Sequence, residues 1–429
     1  MIDHRTLRVA LLGAGSVGAQ VARLLIEHAD ELEERSGARL ELVGIAVRNL
    51  DSPRDVDLPR ELFTTNAHEL IVGSDIVIEL MGGIEPARTY ILEALQSGAD
   101  VVTGNKALIA THGAEIFDAA DQVGASVSYE AAVAGAIPII RPLKDSLAGD
   151  IVTRIFGIVN GTTNYILDRM DKEGADFDTV LADAQALGYA EADPTADVEG
   201  HDAAQKAAIL ASLAFHTHVP LDKVHCEGIT QIDAAAIENA KKAGYVIKLL
   251  ATCERLPGGD DISVRVYPAL INRDHPLASV HGGNNAVYVE AEAAGPLMFY
   301  GAGAGGVQTA SAILGDAVSA ARRHIAGGGG VGESPRGVHP IAEIGRITTR
   351  YQITIDVADE QGVLASVAGT LSNGGVSIAT FEQTATPTGA RLVIGTHRAT
   401  EQALSDTVAE LAQSDVVKQV VTVLRVEGE

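Results

Sequence analysis

Cysteine is scarce in this chain: Cys226 and Cys253 are the two in 429 residues. So small a supply builds no disulfide framework, and both thiols are expected to be free in a reducing, cytoplasmic setting. Positive charge is also short. Lys and Arg number 32 against 57 Asp and Glu, for a formal net charge of −25. That balance argues against nucleic acid and anionic membrane as partners. No apolar run reaches the roughly 20 residues that span a bilayer. No signal-peptide pattern opens the chain. What is present is a 46% hydrophobic sequence with 45 glycines, the make-up of a packed α/β enzyme of two or three domains.

The most informative stretch runs from Ala186 to Lys206. Five carboxylates (Glu191, Asp193, Asp197, Glu199, Asp202) precede Lys206. Pro194 and Gly200 keep the acidic part irregular, and an Ala-rich helix is expected from His201. On it Asp202 and Lys206 are spaced i and i+4, so they share a face. The apolar run Ala207-Ala208-Ile209-Leu210-Ala211 follows, which puts Lys206 where a helix enters the core. An isolated pair of this kind is usually an exposed ion pair of little consequence. The density of acids ahead of it favours a site.

Near the start, Leu7 to Leu12 reads as a buried parallel strand, followed at once by Gly13-Ala14-Gly15-Ser16-Val17-Gly18 and a helix over Ala19 to Leu32. Strand, G-x-G-x-x-G and helix form a dinucleotide-binding arrangement. The first glycine permits the turn, the second lets the backbone approach a pyrophosphate, and the third allows helix and strand to pack closely. The second strand, Leu40 to Val47, ends in Arg48. A carboxylate there would grip the ribose 2′-hydroxyl of NAD, whereas arginine suits the 2′-phosphate of NADP. Arg54 is a candidate to help. Lys106 lies just past the strand that begins at Asp100, where open α/β sheets place ligands. Ser126 to Tyr129 reads as the last strand of this domain.

From Glu130 the chain crosses to a second domain. Asn160-Gly161-Thr162-Thr163-Asn164 is read as a helix cap whose side chains could also face a substrate. Residues 244–300 alternate strands, including Ile262 to Tyr267 and Asn285 to Glu292, with turns, and suit a sheet packed on a partner chain. Gly301 to Gly305 repeats a glycine turn before a helix, Ser311 to His324. His216, His218 and His225 are read as structural rather than metal ligands. Gly327 to Val338 has linker composition. Beyond it the order is βαββαβ, which is ferredoxin-like.

These motifs resemble homoserine dehydrogenase of the long bacterial type with a C-terminal ACT domain, over essentially the whole chain. The resemblance is carried by Gly13 to Gly18, Thr103 to Ala107, Asn160 to Asn164, Leu187 to Lys206 and Gly301 to Gly305. It implies an α/β fold with a Rossmann-type NAD(P)-binding domain (1–130, with helix 306–325 packing back on it). An α+β catalytic and dimerisation domain (131–305), a Gly-rich linker (326–349) and an ACT regulatory domain (350–429) would follow. The implied reaction interconverts L-homoserine and L-aspartate 4-semialdehyde with NADP, or possibly NAD, in threonine and methionine biosynthesis. Lys206 is then the acid/base. An ordinary amine, with a pKa of about 10.4, is a poor base at neutral pH, so desolvation and a neighbouring cation are needed; Lys106 is the candidate cation.

Glu191, Asp202, Asp197 and Thr162 are the expected substrate ligands. Gly13, Gly15, Ser16, Val17, Gly18, Arg48, Lys106, Gly188, Gly303 and Gly305 are the expected cofactor contacts. The family also implies a monovalent cation, usually sodium, at Glu130, Val133, Gly135 and Ile137, held largely by main-chain carbonyls. Threonine is the implied effector. Gly362, Val363, Leu364 and Asn373 are its expected contacts, since a turn opening a helix presents free N–H groups to a carboxylate. A homodimer or homotetramer is expected. Every candidate catalytic residue precedes the linker, so a chain stopped near Gly330 is expected to keep its active site. Two rival readings fit the sequence less well. An aspartate-semialdehyde dehydrogenase would need a catalytic cysteine in a suitable motif, which neither cysteine has. A catalytically silent amino-acid sensor would be marked by loss of Lys206 or Glu191, and both are present.

Overall fold

The computed structural model describes residues 5–327, 337–387 and 389–428. Its contacts divide the chain into two compact units. One comprises Met1–Thr153, Gln205–Leu221 and Asn284–Val338, the other Arg154–Ala204, Asp222–Gly283 and His339–Glu429. Among the described residues no helix is long and apolar enough to cross a membrane.

The first unit opens with strand β1 (Arg5–Leu12), helices α1 (Ser16–Glu27) and α2 (Ala29–Ser36), and strands β2 (Ala38–Ala46) and β3 (Phe63–Thr64). Then come α3 (Ala67–Val72), β4 (Ile76–Glu79), α4 (Ala87–Gln96), β5 (Asp100–Thr103), α5 (Lys106–Val123) and β6 (Val127–Ser128). The sheet order is β3-β2-β1-β4-β5-β6, parallel throughout. The order reverses between β1 and β4, the switch point where open α/β sheets bind ligands. Leu7, Val9 and Leu11 of β1 are fully buried, as a strand covered on both faces requires. The single helix expected over Ala19 to Leu32 is two, broken at His28. The second of them ends on Gly37, whose φ of +80° closes a left-handed cap.

The second unit begins with β7 (Val152–Ile158), α6 (Gly161–Glu173), α7 (Phe177–Ala186) and the short α8 (Thr195–Val198). Helix α9 (His201–Ala214) follows, its residues from Gln205 on counted with the first unit, then β8 (His225–Cys226), α10 (Ala234–Lys242), β9 (Tyr245–Arg255) and β10 (Ile262–Asn272) of the second. The chain then returns to the first unit with the hairpin β11 (Asn284–Ala291) and β12 (Gly295–Ala302) and the long helix α11 (Gly306–Ala326). Ala310, Ile313, Ala317, Ala320 and Ala321 of α11 share one core with Val21, Ala22 and Leu25 of α1. Alanine at these positions lets two helices approach closely.

The tail rejoins the second unit as β13 (Thr348–Val357), α12 (Val363–Asn373), β14 (Ile378–Thr386), β15 (Gly389–Thr396), the two-residue β16 (Ala399–Thr400), α13 (Glu401–Ala412) and β17 (Val417–Glu427). With β16 set aside, the order is the expected βαββαβ. Ile353, Ile355, Val367, Leu371, Ile394, Leu404 and Leu411 fill its core. Residues 328–336 of the expected linker lie outside the described residues.

The tail is not a separate appendage. Strand β17 runs parallel to β10, with Ala269 opposite Arg425 and Ile271 opposite Glu427, so the sheet continues as β7-β9-β10-β17-β13-β15-β14. At that seam Arg265, 2% exposed, is held by Glu254 (2.8 Å) and Glu427 (3.2 Å). The Tyr267 hydroxyl accepts from Arg265 Nε and donates to Glu427. A buried guanidinium needs these carboxylates, and one of them comes from the tail. A chain stopped near Gly330, expected to keep its active site, would lose this carboxylate.

Candidate active site

The first unit carries the nucleotide-binding features. Gly13 has φ +100°, and a Cβ there would stand 2.6 Å from the Leu80 carbonyl oxygen. A side chain at Gly18 would collide with the Gly13 carbonyl, whereas Gly15 faces open space. Ser16 and Val17 open α1, which has no side-chain cap and no acid in its first turn. Its amide groups are left to an anion. Gly305, at φ +127°, precedes α11, likewise without a side-chain cap. A Cβ at Gly306 would lie 2.8 Å from the Ser16 carbonyl oxygen, so the second glycine turn abuts the first. Gly303 lies against the Asn285 amide and has no room for a side chain.

Arg48 stands exposed two residues past β2. Arg54 is not available to help it. Its guanidinium donates to the carbonyls of Asn49, Leu50 and Ser52 and lies 4.2 Å from the Phe63 ring centre. Lys106 is half-buried as the first residue of α5. What places it is a residue the sequence reading passed over. Glu79, fully buried at the end of β4, accepts from Met81 N (2.7 Å) and the Thr103 hydroxyl (2.6 Å). Asn105 then caps α5 through Leu108 N and ties Gly83 O by its amide (2.7 Å). The available signal was an acid ending an apolar strand, where a buried charge requires a reason.

The crossover after β6 is tightly organised. The Glu130 carboxylate accepts from the amides of Ile139 (2.5 Å), Ile140 (2.7 Å) and Arg141 (3.0 Å) and from Arg141 Nε (2.8 Å). Its amide donates to Asp316 at 2.8 Å. Burial pushes the Asp316 carboxyl up to about 7, against the pull of the Glu130 amide and Arg141. Ala134 and Gly135 both take φ +58°. Two successive left-handed residues, one of them alanine, are a strained pair. They turn the carbonyls of a segment in which Val133, Gly135 and Ile137 are buried. No donor among the described residues reaches those three carbonyls. The Glu130 carboxylate is spent on its own chain, so a cation here would rely on main-chain oxygens, as the donor set permits.

The second unit carries the acidic features. Asn160 caps α6, accepting from Thr163 N at 2.8 Å, as expected. Its amide nitrogen does more, donating to Asp197 (2.6 Å) and Asp202 (2.9 Å). Both amide hydrogens are thus used to hold two carboxylates together. Asp202 is 5% exposed, and Lys206, one turn further on α9, is 8% exposed. The Thr162 hydroxyl donates to Tyr189 O at 2.6 Å, which fixes the backbone next to Gly188, itself at φ +77°. Glu191 is exposed, and its carbonyl accepts from Gln185. Asn160 gathers Asp197 and Asp202 but not Glu191. Asp193 is occupied by Thr195 (3.1 and 2.6 Å). The acidic run therefore divides at the turn at Pro194, with Glu191 and Asp193 before it, Asp197 on α8 and Asp202 on α9 after it.

Behind α6 lies a second residue the sequence reading missed. Lys248 of β9, 2% exposed, donates to Asn164 Oδ1 (2.9 Å) and Val280 O (2.7 Å). Burial brings its pKa down to about 8, partly opposed by Asp168 and Asp171. Asn164 in turn holds Gly282 O (2.9 Å), and a Cβ on Gly283 would press 2.7 Å from the Tyr189 ring. The lysine thus braces the segment that carries Gly188 and Tyr189. In the tail, Gly362 (φ +90°), Val363 and Leu364 open α12 and Asn373 closes it. At about 1.5 Å per residue, the helix ends lie about 15 Å apart. One amino acid cannot touch both within a single chain, so the four expected effector contacts do not form one site in this chain.

Oxidation of an alcohol by hydride transfer needs a nicotinamide and a group that accepts the hydroxyl proton. The glycine turns of the first unit answer the first need, and the fold and turns together define an NAD(P)-dependent oxidoreductase. Residues 13–130 match the homoserine dehydrogenase NAD-binding domain, and residues 138–318 match the homoserine dehydrogenase family. The chain is 54% identical to the homoserine dehydrogenase of Corynebacterium glutamicum, over 98% of this chain and 95% of that protein. It is 40% identical to that of Bacillus subtilis, over 99% of each. A solved homoserine dehydrogenase from Thiobacillus denitrificans superposes with a TM-score of 0.92 at 38% identity, over 99% of this chain and 98% of that one. A hyperthermophilic archaeal homoserine dehydrogenase solved with NADPH matches 73% of this chain and 97% of its own, with a TM-score of 0.62 at 26% identity. The chain belongs to the homoserine dehydrogenase family.

Proposed function

We propose that the chain interconverts L-homoserine and L-aspartate 4-semialdehyde in threonine and methionine biosynthesis, with Lys206 as acid/base and NADP as the favoured cofactor. One observation carries the reading: Asn160 clasps Asp197 and Asp202 one helical turn before a buried lysine. Two carboxylates suit the substrate ammonium, with Glu191 as a third ligand and Thr162 holding the adjoining backbone. The glycine turns of the first unit would hold a nicotinamide cofactor, which when bound would supply the acceptor or donor of the hydride exchanged at C4 of homoserine. Lys206 takes the proton of the C4 hydroxyl as the carbonyl forms and gives it back in reduction. Lys106 supplies the neighbouring cation that favours a neutral amine.

Arg48 favours NADP because it presents a guanidinium where NAD enzymes place an acid. Gly13, Gly15, Ser16, Val17, Gly18, Gly188, Gly303 and Gly305 approach the cofactor by backbone. A monovalent cation, sodium by preference, is supported by the strained turn at Ala134 and Gly135 and by the carbonyls of Val133, Gly135 and Ile137; Glu130 adds its own carbonyl. Threonine feedback through the tail, a homodimer or homotetramer, and a cytoplasmic setting with two free thiols complete the reading.

The test is Lys206→Ala. Turnover should fall roughly 10²- to 10⁴-fold, the usual worth of a general base, with NADP affinity little changed. A variant that keeps a tenth of the wild-type rate overturns the assignment.

A further inference from the structure

The backbone that joins Asp197 to Asp202 is held from behind by segment 226–229, which the tail in turn grips. Cys226 Sγ donates to Glu199 O (3.3 Å), and Ile229 N donates to Val198 O (2.8 Å). A side chain on Gly228 would collide with Val198 O and the Glu199 backbone. A Cβ on Gly200, at φ +82°, would stand 3.0 Å from Cys226 Sγ. Segments 198–200 and 226–229 therefore touch without slack, and packed contacts of this kind transmit displacement.

Between Cys226 and Gly228 sits Glu227. Arg425 of β17 grips it with both terminal nitrogens, Nη1 to Oε2 at 2.8 Å and Nη2 to Oε1 at 2.9 Å. His225 Nε2 lies 2.6 Å from Oε1. The same guanidinium donates to Glu401 of α13 (2.9 Å) and lies 4.3 Å from the Tyr267 ring centre. Burial opposes ionisation of Glu227, but His225 and Arg425 outweigh it and hold the carboxyl at about 2. The planar fork fixes direction as well as distance, which a lysine would not do.

We infer that Glu227 and Arg425 are positioning residues for homoserine: clamped together, they hold segment 198–200, and so Asp197 and Asp202, at the spacing that receives the substrate ammonium. The inference rests on the reading of Asp197 and Asp202 as substrate ligands. It also gives the tail a route to the substrate that bypasses the cofactor turns.

The test compares Glu227→Gln, Arg425→Met and Arg425→Lys in the full-length enzyme, with Asp202→Asn as a reference. Readouts are KM for homoserine, KM for NADP, kcat and melting temperature. Glu227→Gln keeps the size of the side chain, so it carries the test if Arg425→Met does not fold. For Glu227→Gln and Arg425→Met, KM for homoserine should rise roughly 3- to 30-fold, the range for residues that act at a distance. KM for NADP should stay within twofold, and Arg425→Lys should fall between wild type and Met. If Asp202→Asn raises KM for homoserine and Glu227→Gln does not, the positioning role is overturned. If both KM values and kcat deteriorate together with melting temperature, the pair is only structural and the inference fails. If Asp202→Asn leaves KM unchanged, the substrate reading itself falls and takes this inference with it.

Discussion

At the scale of single residues, Asn160 shows how little of a role is written in a side chain's type. An asparagine before a helix is a cap by its local geometry, and it is one here. The same amide also selects two of the five carboxylates. Nothing in the spacing of Asp197 and Asp202 relative to residue 160 announces that choice. Arg48 is the opposite case. Its position at the end of β2 was legible, since the glycine turn and strand order fix which residue follows the second strand. We expect Arg48→Asp to weaken NADP relative to NAD by the value of a charge-assisted contact, about 1.5 to 3 kcal/mol. The ratio of kcat/KM for the two cofactors measures it. An unchanged ratio would reduce Arg48 to a surface residue.

At the scale of elements, α11 joins distant sequence to the nucleotide-binding unit, and its far end is pinned by charge. Asp100, fully buried at the start of β5, accepts from Arg323 and pairs by charge with His324 (2.9 Å). Burial alone would raise the Asp100 pKa, but His324 and Arg323 pull it below its usual 3.8. Pairing with Asp100, against burial, lifts His324 above 6.5. A histidine raised in the folded state contributes stability that is complete below 6.5 and is lost as pH rises through its folded pKa. Wild-type melting temperature should therefore carry a decline from this pair that sets in as pH rises above 6.5. Asp100→Asn should lower the melting temperature and flatten that decline. A variant with the wild-type slope would show that His324 does not anchor the helix.

At the scale of the whole molecule, the tail is covalently last and structurally inside the second unit. Removing residues beyond about 326 would take β17 from β10. It would also strip Glu427 from the buried Arg265 and Arg425 from Glu227. Breaking one buried pair while keeping its partner typically costs about 3 to 5 kcal/mol. The truncated chain should melt well below the full one, and Arg265→Met in the truncated chain should recover part of the loss. A truncated chain with the full-length melting temperature would restore the view of a detached regulatory module.

By itself the sequence determined the parts that depend on neighbours along the chain. The strand, glycine turn and helix over residues 5–27, the cap at Asn160, the helix from His201 with Asp202 and Lys206 on one face, and the βαββαβ order of the tail are all set within a few residues. There, φ preferences, capping and hydrophobic period decide the outcome. Tertiary structure alone decided which distant groups meet. It buried Glu79 and Lys248, committed Arg54 to its own loop, left Glu191 exposed, placed Asn373 a helix away from Gly362, and drew β17 beside β10. Such contacts are fixed by where a residue can leave water while its charge is still satisfied, and that partner can lie more than 150 positions away, as Glu427 does from Arg265.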